Sequence, residues 1–301
     1  MFSVLSVLFG VKFISEANNQ SHTPNHCIIM SWFLRIGTID RRIIYVLILL
    51  AVAIPLLLRI SMPIRLSEPV IKSFEAVDRL PKGSVVMISI DYDASSEPEL
   101  QPMLLAILRH SFSRDLKVIL MGHLALGLPL GEIALNQIAR EYNKVYGEDY
   151  VNLGYRPGYV AQMVGIGKEI RDFFAVDYKG VNIDSLGFMR QVHNYNNIDL
   201  LIGLEHGAVG DAWVQYVGAR FGQKMFFGAT GVVAPDYYPY LQAKQIEGMI
   251  AGLQGAAEYE TLIEKAGTGI LGMPAQSVVH GLIILFIIIG NIGYILTKRK
   301  K

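Results

Sequence analysis

The side chains whose spacing suggests chemistry are few. They are an acidic pair, Asp91 and Asp93, a lone His123, the adjacent Glu205 and His206, and Arg156 set between Tyr155 and Tyr159. Carboxylates two residues apart can point to one side of an extended segment and hold a hard cation, so a divalent cation is the cofactor this pair would take. The competing role is a turn in which an aspartate starts the next helix. His123 and the Glu205-His206 pair have the chemistry of a general acid and base or of metal ligands, because imidazole titrates near neutrality. Their spacing matches no zinc signature, and structural polar contacts are the competing role.

Arg156 offers a planar guanidinium that can meet a carboxylate or phosphate bidentately, with Tyr155 and Tyr159 flanking the ligand. The alternative is a rigid loop whose arginine pairs with a neighbouring carboxylate. Gly207 and Gly210, followed by Asp211, and Gly228 to Gly231 could bring backbone amides close to an anion at a helix start. Glycine in such places also simply shapes turns. Neither stretch is a dinucleotide fingerprint, and Gly165 to Lys168 lacks the spacing of a phosphate-binding loop. No nucleophile elbow of the Gly-x-Ser-x-Gly kind occurs, and the single cysteine, Cys27, stands outside the region that holds these residues.

These residues fall at the ends of short apolar runs. Ser84 to Ile90, Leu116 to Met121, Tyr150 to Gly154, Asp199 to Leu204 and Lys224 to Gly228 read as strands covered on both faces. Between them lie amphipathic patterns: Glu97 onward with Leu100, Leu104, Leu105, Leu108 and Phe112 on one side, Gly131 to Tyr146, Tyr159 to Phe173, Ser185 to Val192, Asp211 to Phe221, and a long or broken helical region over Pro239 to Glu264. Ala175 to Tyr178 reads as an extra strand or a loop. Alternation at this spacing predicts a Rossmann-like α/β domain over residues 83–265, with a mostly parallel sheet and helices on both faces. Ligands of such sheets bind beyond the carboxyl ends of the strands, where Asp91, Asp93, His123, Tyr155, Arg156, Tyr159, Glu205 to Asp211 and Gly231 fall.

Two apolar stretches flank this domain, predicting a transmembrane helix over 43–60 and a second over 277–297; about 20 apolar residues suffice to cross the hydrocarbon core. Between them and the domain lie an amphipathic stalk, 61–82, which Ser67 would cap with Pro69 in the first turn, and a linker, 266–276. The extension 1–29 fits a signal peptide poorly, and Met30 is an alternative start followed by a short basic segment, 30–42. The four basic residues 298–301 predict a cytoplasmic carboxyl terminus, hence both termini cytoplasmic and the domain extracytoplasmic if both segments cross. The competing arrangement lays the first segment, which contains Pro55, in the membrane interface.

Composition sets outer bounds. The chain is 52% hydrophobic and 18% charged, with 27 Lys and Arg against 26 Asp and Glu, so it fits a hybrid of lipid-embedded and globular parts and shows no basic surface for nucleic acid. Small residues around Asn291 in the second span suit helix packing and a homo-oligomer. The sequence therefore predicts an anchored ligand-binding or assembly module, its partners the lipid bilayer and an envelope or membrane protein. The alternative is an anchored metal-assisted hydrolase or group transferase working at the same rim.

Overall fold

A computed structural model describes residues 40–60 and 62–298. The readings of residues 1–29, of Met30 and Cys27, and of the tail beyond 298 lie outside the described residues. The chain divides into two units, Leu50–Val279, which holds the sheet, and the outer segments Met1–Leu49 with His280–Lys301.

The first element is α1 (Arg41–Leu58), and α2 (Glu68–Asp78) follows it. The domain then alternates β1 (Val85–Asp91), α3 (Glu97–Ser113), β2 (Lys117–Gly122), α4 (Leu128–Glu141), β3 (Tyr150–Tyr155) and α5 (Tyr159–Ile166). After a run of short 3-10 turns come β4 (Leu200–Glu205), α6 (Val209–Ala212) with a π-helical stretch (Trp213–Gly218) and α7 (Ala219–Phe221), β5 (Met225–Ala229), α8 (Ala234–Gln242), β6 (Met249–Ala251) and α9 (Gly252–Leu262). The last helix is α10 (Thr268–Lys298).

All six strands are parallel, in the order β3-β2-β1-β4-β5-β6. This is the order of doubly wound α/β sheets, and it reverses between β1 and β4. Strand residues alternate between two apolar cores. Val86, Ile88 and Ile90 of β1 join Leu104 of α3, Ile138 of α4 and Tyr259 of α9 on one face. Met87, with Leu201 of β4 and Phe227 of β5, joins Met163 of α5, Trp213 and Tyr237 of α8 on the other. Both faces being covered is why the strands read as continuous apolar runs rather than alternating ones.

Several sequence expectations are corrected. Ser185 to Val192 forms two 3-10 pieces (Ile183–Ser185 and Phe188–Gln191), and the helix expected through Phe173 stops at Ile166. Ala175 to Tyr178 contributes one isolated bridge, Val176 with Asn182. The region read as one broken helix over Pro239 to Glu264 contains a sixth strand of only three residues, Met249–Ala251, too short to show a period of two. Ser67 does not cap α2 with its side chain. Its backbone N–H and its hydroxyl both donate to the Glu258 carboxylate, at 2.8 and 2.5 Å.

Two helices are long and apolar enough to cross a membrane, Arg41–Leu58 and Thr268–Ile295. The second starts inside the stretch read as a linker, because Glu260 on α9 accepts the backbone N–H groups of Gly267, Gly269 and Ile270 at 3.0, 3.0 and 2.8 Å. A carboxylate facing the free amides of a helix's first turn satisfies them and complements the positive end of the helix dipole. Within α10, the Asn291 amide donates to the Ile287 carbonyl one turn back at 2.9 Å.

Candidate functional site at the strand reversal

In a parallel sheet, laterally paired residues place their side chains on the same face. Asp91, the last residue of β1, pairs with Glu205, the last of β4, and two residues earlier Ser89 pairs with Gly203. Small residues here make room for polar ones. A Cβ on Gly203 would come within 2.4 Å of Glu205 Oε1, so the glutamate folds back over the space its strand leaves open.

Three donors converge on Asp91: the Ser89 hydroxyl at 2.6 Å, the His123 backbone N–H at 2.7 Å and the Trp213 indole N–H at 3.3 Å. Its oxygens are therefore acceptors. Glu205 is fully buried, and the polar groups that act on its carboxyl include Asp91 and the backbone N–H of Gly210. Burial, then the neighbouring Asp91, push its pKa well above the usual carboxylate range. Glu205 therefore keeps its proton where an exposed glutamate would have lost it.

Beside Asp91 stand further buried polar side chains. His123 is 6% exposed and Gln162, on α5, is 0% exposed. The two side chains lie close enough to act on each other as hydrogen-bond partners, though not in ideal geometry. Burial lowers the His123 pKa against the opposing pull of Asp91, so the imidazole is neutral. Its ring centroid is 5.2 Å from that of Trp213 and 6.0 Å from that of Tyr159. Trp213 opens the π-helical stretch, a geometry seen often at functional sites because its wider turn re-aims side chains.

The other sequence candidates sort by position. Asp93 is half-buried at the surface above Asp91, and its carboxylate accepts the N–H and hydroxyl of Ser95 at 2.9 and 2.6 Å. Those bonds, with a smaller contribution from nearby His206, lower its pKa. The expected role as a turn-former is thus the one its contacts fit, and Asp91 and Asp93 point to different surroundings. No group of three or more His, Cys, Asp or Glu side chains converges as metal ligands among the described residues.

Arg156 spends its guanidinium on three backbone carbonyls, Tyr155 at 2.9 Å, Phe173 at 3.3 Å and Val176 at 3.3 Å, and sits 5.4 Å from the Phe174 ring centroid. It pins the β3–α5 loop, and the carboxylate expected as its alternative partner is replaced by carbonyls. Gly207 is open to solvent, and its carbonyl accepts the Tyr237 hydroxyl at 2.7 Å. Gly210 packs against that same tyrosine, and Asp211 faces Tyr240. The Gly231 N–H donates to Glu99 at 2.7 Å, tying the β5–α8 loop to α3.

Gln162 and Trp213 were missed by sequence reasoning, each being one residue of an apolar-looking helix. Ser89 and Gly203, small residues in otherwise bulky strands, were the available signal. Two open clefts of about 270 and 540 Å³ lie at the opposite end of the sheet, both bordered by Gln223, Lys224 and Glu247, away from this cluster.

The class these observations define is an α/β protein with a doubly wound parallel sheet, a buried acid pair at its strand reversal, and two helices apolar enough to span a membrane. Comparison with protein-family models, with curated proteins and with solved structures gave no match. Function is therefore argued from the site, since a fold shared by many activities selects none of them.

Proposed function

We propose that this chain is a membrane-anchored binding module, its α/β domain held outside the cytoplasm and taking a ligand at the carboxyl rim where β1 and β4 part. One observation carries the reading. Asp91, Glu205, His123 and Gln162 bring four buried polar side chains to that reversal. Buried polar groups held short of full hydrogen bonding cost on the order of 1–3 kcal/mol each, and a ligand-binding or catalytic role is one reason a fold keeps them. Strand reversals are also where ligands of open parallel sheets lie.

An anchored hydrolase or group transferase is the second reading. It is favoured by the raised proton affinity of Glu205 beside a second carboxyl group that accepts three hydrogen bonds, since a carboxyl group kept protonated can act as a general acid.

Photocrosslinking in living cells tests the location. A benzophenone amino acid at Val232, 85% exposed on the β5–α8 loop, should give a discrete adduct, identified by mass spectrometry. The same probe at Lys82, before β1 at the other end of the sheet, should give none. Adducts at Lys82 alone would move the site away from the rim.

A further inference from the structure

We propose that the carboxyl rim of the sheet faces the membrane, with Leu126 and Val232 resting in the headgroup layer of a zwitterionic lipid surface. The inference concerns how the domain is held, and it stands whether or not the strand reversal takes a ligand.

The course of the helices carries it. Because α9 follows β6 directly, it starts at the rim, where a Cβ added to Gly252 would stand 3.3 Å from Glu99 and 3.5 Å from Gly231 of the β5–α8 loop. It then runs to the opposite end of the sheet. Glu99 opens α3 beside Gly252, whereas His110, near the end of α3, lies 2.8 Å from the Tyr259 hydroxyl.

From there α10 climbs back. The N–H groups of Gly267 and Gly269 meet Glu260, a Cβ on Gly269 would stand 2.9 Å from the Ala257 nitrogen, and one on Gly272 would stand 3.0 Å from the Leu253 side chain. As residue numbers rise along α10 they fall along α9, so the two are antiparallel and α10 reaches the rim at Gly272. At 1.5 Å per residue, the stretch read as a span, from Ser277 onward, begins about 8 Å farther on. Pro274 can bend the helix but not turn it back. The sheet-bearing unit ends at Val279, so its chain leaves from the rim end.

The stalk agrees. Ser67 is tied to Glu258, partway along α9, and α2 then runs away from the rim to Arg79, which meets Glu247 just before β6 at 3.4 Å. The residues that lead from α1 therefore join α2 at its rimward end.

What the rim presents suits a lipid neighbour. Among the described residues between α1 and α10, Val232 and Leu126 are the most exposed large apolar side chains, at 85% and 77%. They sit on the β5–α8 and β2–α4 loops, three strand spacings or about 14 Å apart along the rim. Tyr159 and Tyr238, exposed near the starts of α5 and α8, add amphipathic rings of the kind that settle at headgroup level. Charge selects the lipid. The rim loops hold one Lys or Arg, Arg156, whose guanidinium is bonded to three carbonyls, against Asp93 and, in the helix turns that follow, Glu97, Asp211 and Asp236. An anionic surface would be repelled, so the contact is apolar and made on zwitterionic lipid. The headgroup layer is wet, and both side chains stay within reach of water-soluble reagents.

Quenching from the lipid tests this. In full-length protein with Cys27→Ser, which removes the one cysteine, bimane is attached at Leu126→Cys, Val232→Cys or Lys82→Cys, the last before β1 at the opposite end of the sheet. All three side chains are exposed, so the core is untouched. Each protein is placed in phosphatidylcholine nanodiscs with and without a TEMPO nitroxide on the lipid headgroup. Bimane at 126 and 232 should lose most of its emission to the nitroxide, and bimane at 82 should lose none. Adding phosphatidylserine should lessen the loss at 126. Loss at 82, alone or equal to the others, overturns the orientation. No loss anywhere means that something other than lipid covers the rim, and it overturns the contact. Loss at 232 without 126 reports only the nearness of α10 and overturns the contact too. A loss at 126 that deepens with phosphatidylserine overturns the zwitterionic preference.

Discussion

Glu205 holds its proton because it is fully buried and lies beside Asp91, whose own oxygens accept three hydrogen bonds. The consequence for stability has a definite sign. The folded state holds the Glu205 proton more tightly than the unfolded chain, whose glutamate releases it near pH 4.5. As pH rises above that value the unfolded chain binds fewer protons than the folded one, and folding weakens by up to about 1.4 kcal/mol per pH unit until Glu205 ionises in place. Glu205→Gln keeps the shape without the titration. Its melting midpoint should therefore gain on the parent's steadily from pH 5 to pH 8, and parallel curves would refute the retained proton. The acidic and imidazole members of this cluster were legible in the sequence because charged residues after apolar runs stand out. Their division of labour was not. Lateral pairing of Asp91 with Glu205 depends on two strands more than a hundred residues apart lying side by side, which no local pattern encodes.

At the scale of elements, α9 carries two buried glutamates that each reach a partner outside it, Glu258 bonded to Ser67 before α2 and Glu260 to the first turn of α10. Glu260→Ala should remove about 1–3 kcal/mol of local stability by freeing three amides at a helix start. Hydrogen exchange read by mass spectrometry over 264–272 should then accelerate while the β1–β4 peptides stay protected. A second junction joins α2, α3 and α9, where His110 lies 2.8 Å from the Tyr259 hydroxyl and stacks on Phe74 at 4.4 Å. Burial lowers its pKa to about 4 from an ordinary 6.5. Between those values the unfolded chain binds the extra proton and the folded one does not, so stability is full above pH 6.5 and is lost on acidification toward pH 4. His110→Gln should flatten that acid limb in thermal melts, and an unchanged limb would place the acid sensitivity elsewhere. The five-to-seven-residue strands were legible as apolar runs and the longer helices α3 and α4 as amphipathic patterns. The three-residue β6 and the 3-10 segments over 183–197 were not, because tertiary packing rather than local pattern sustains them.

For the molecule as a whole, the two apolar helices bracket the sheet in sequence, so the domain's side of the membrane follows from how many of them cross. With Cys27→Ser removing the one native thiol, a cysteine at Val232 should react with an impermeant maleimide on intact cells. Labelling that requires lysis would put the domain in the cytoplasm and leave α1 lying along the interface. The twin glutamate ties also have a mechanical meaning. One helix, α9, which directly follows the edge strand β6, holds both Ser67 at the foot of the stalk and residues 267–270 at the start of the last helix. The segments that lead to the two apolar helices are thus clasped by a single helix, and loosening either tie would unfasten one of them from the domain without touching a strand.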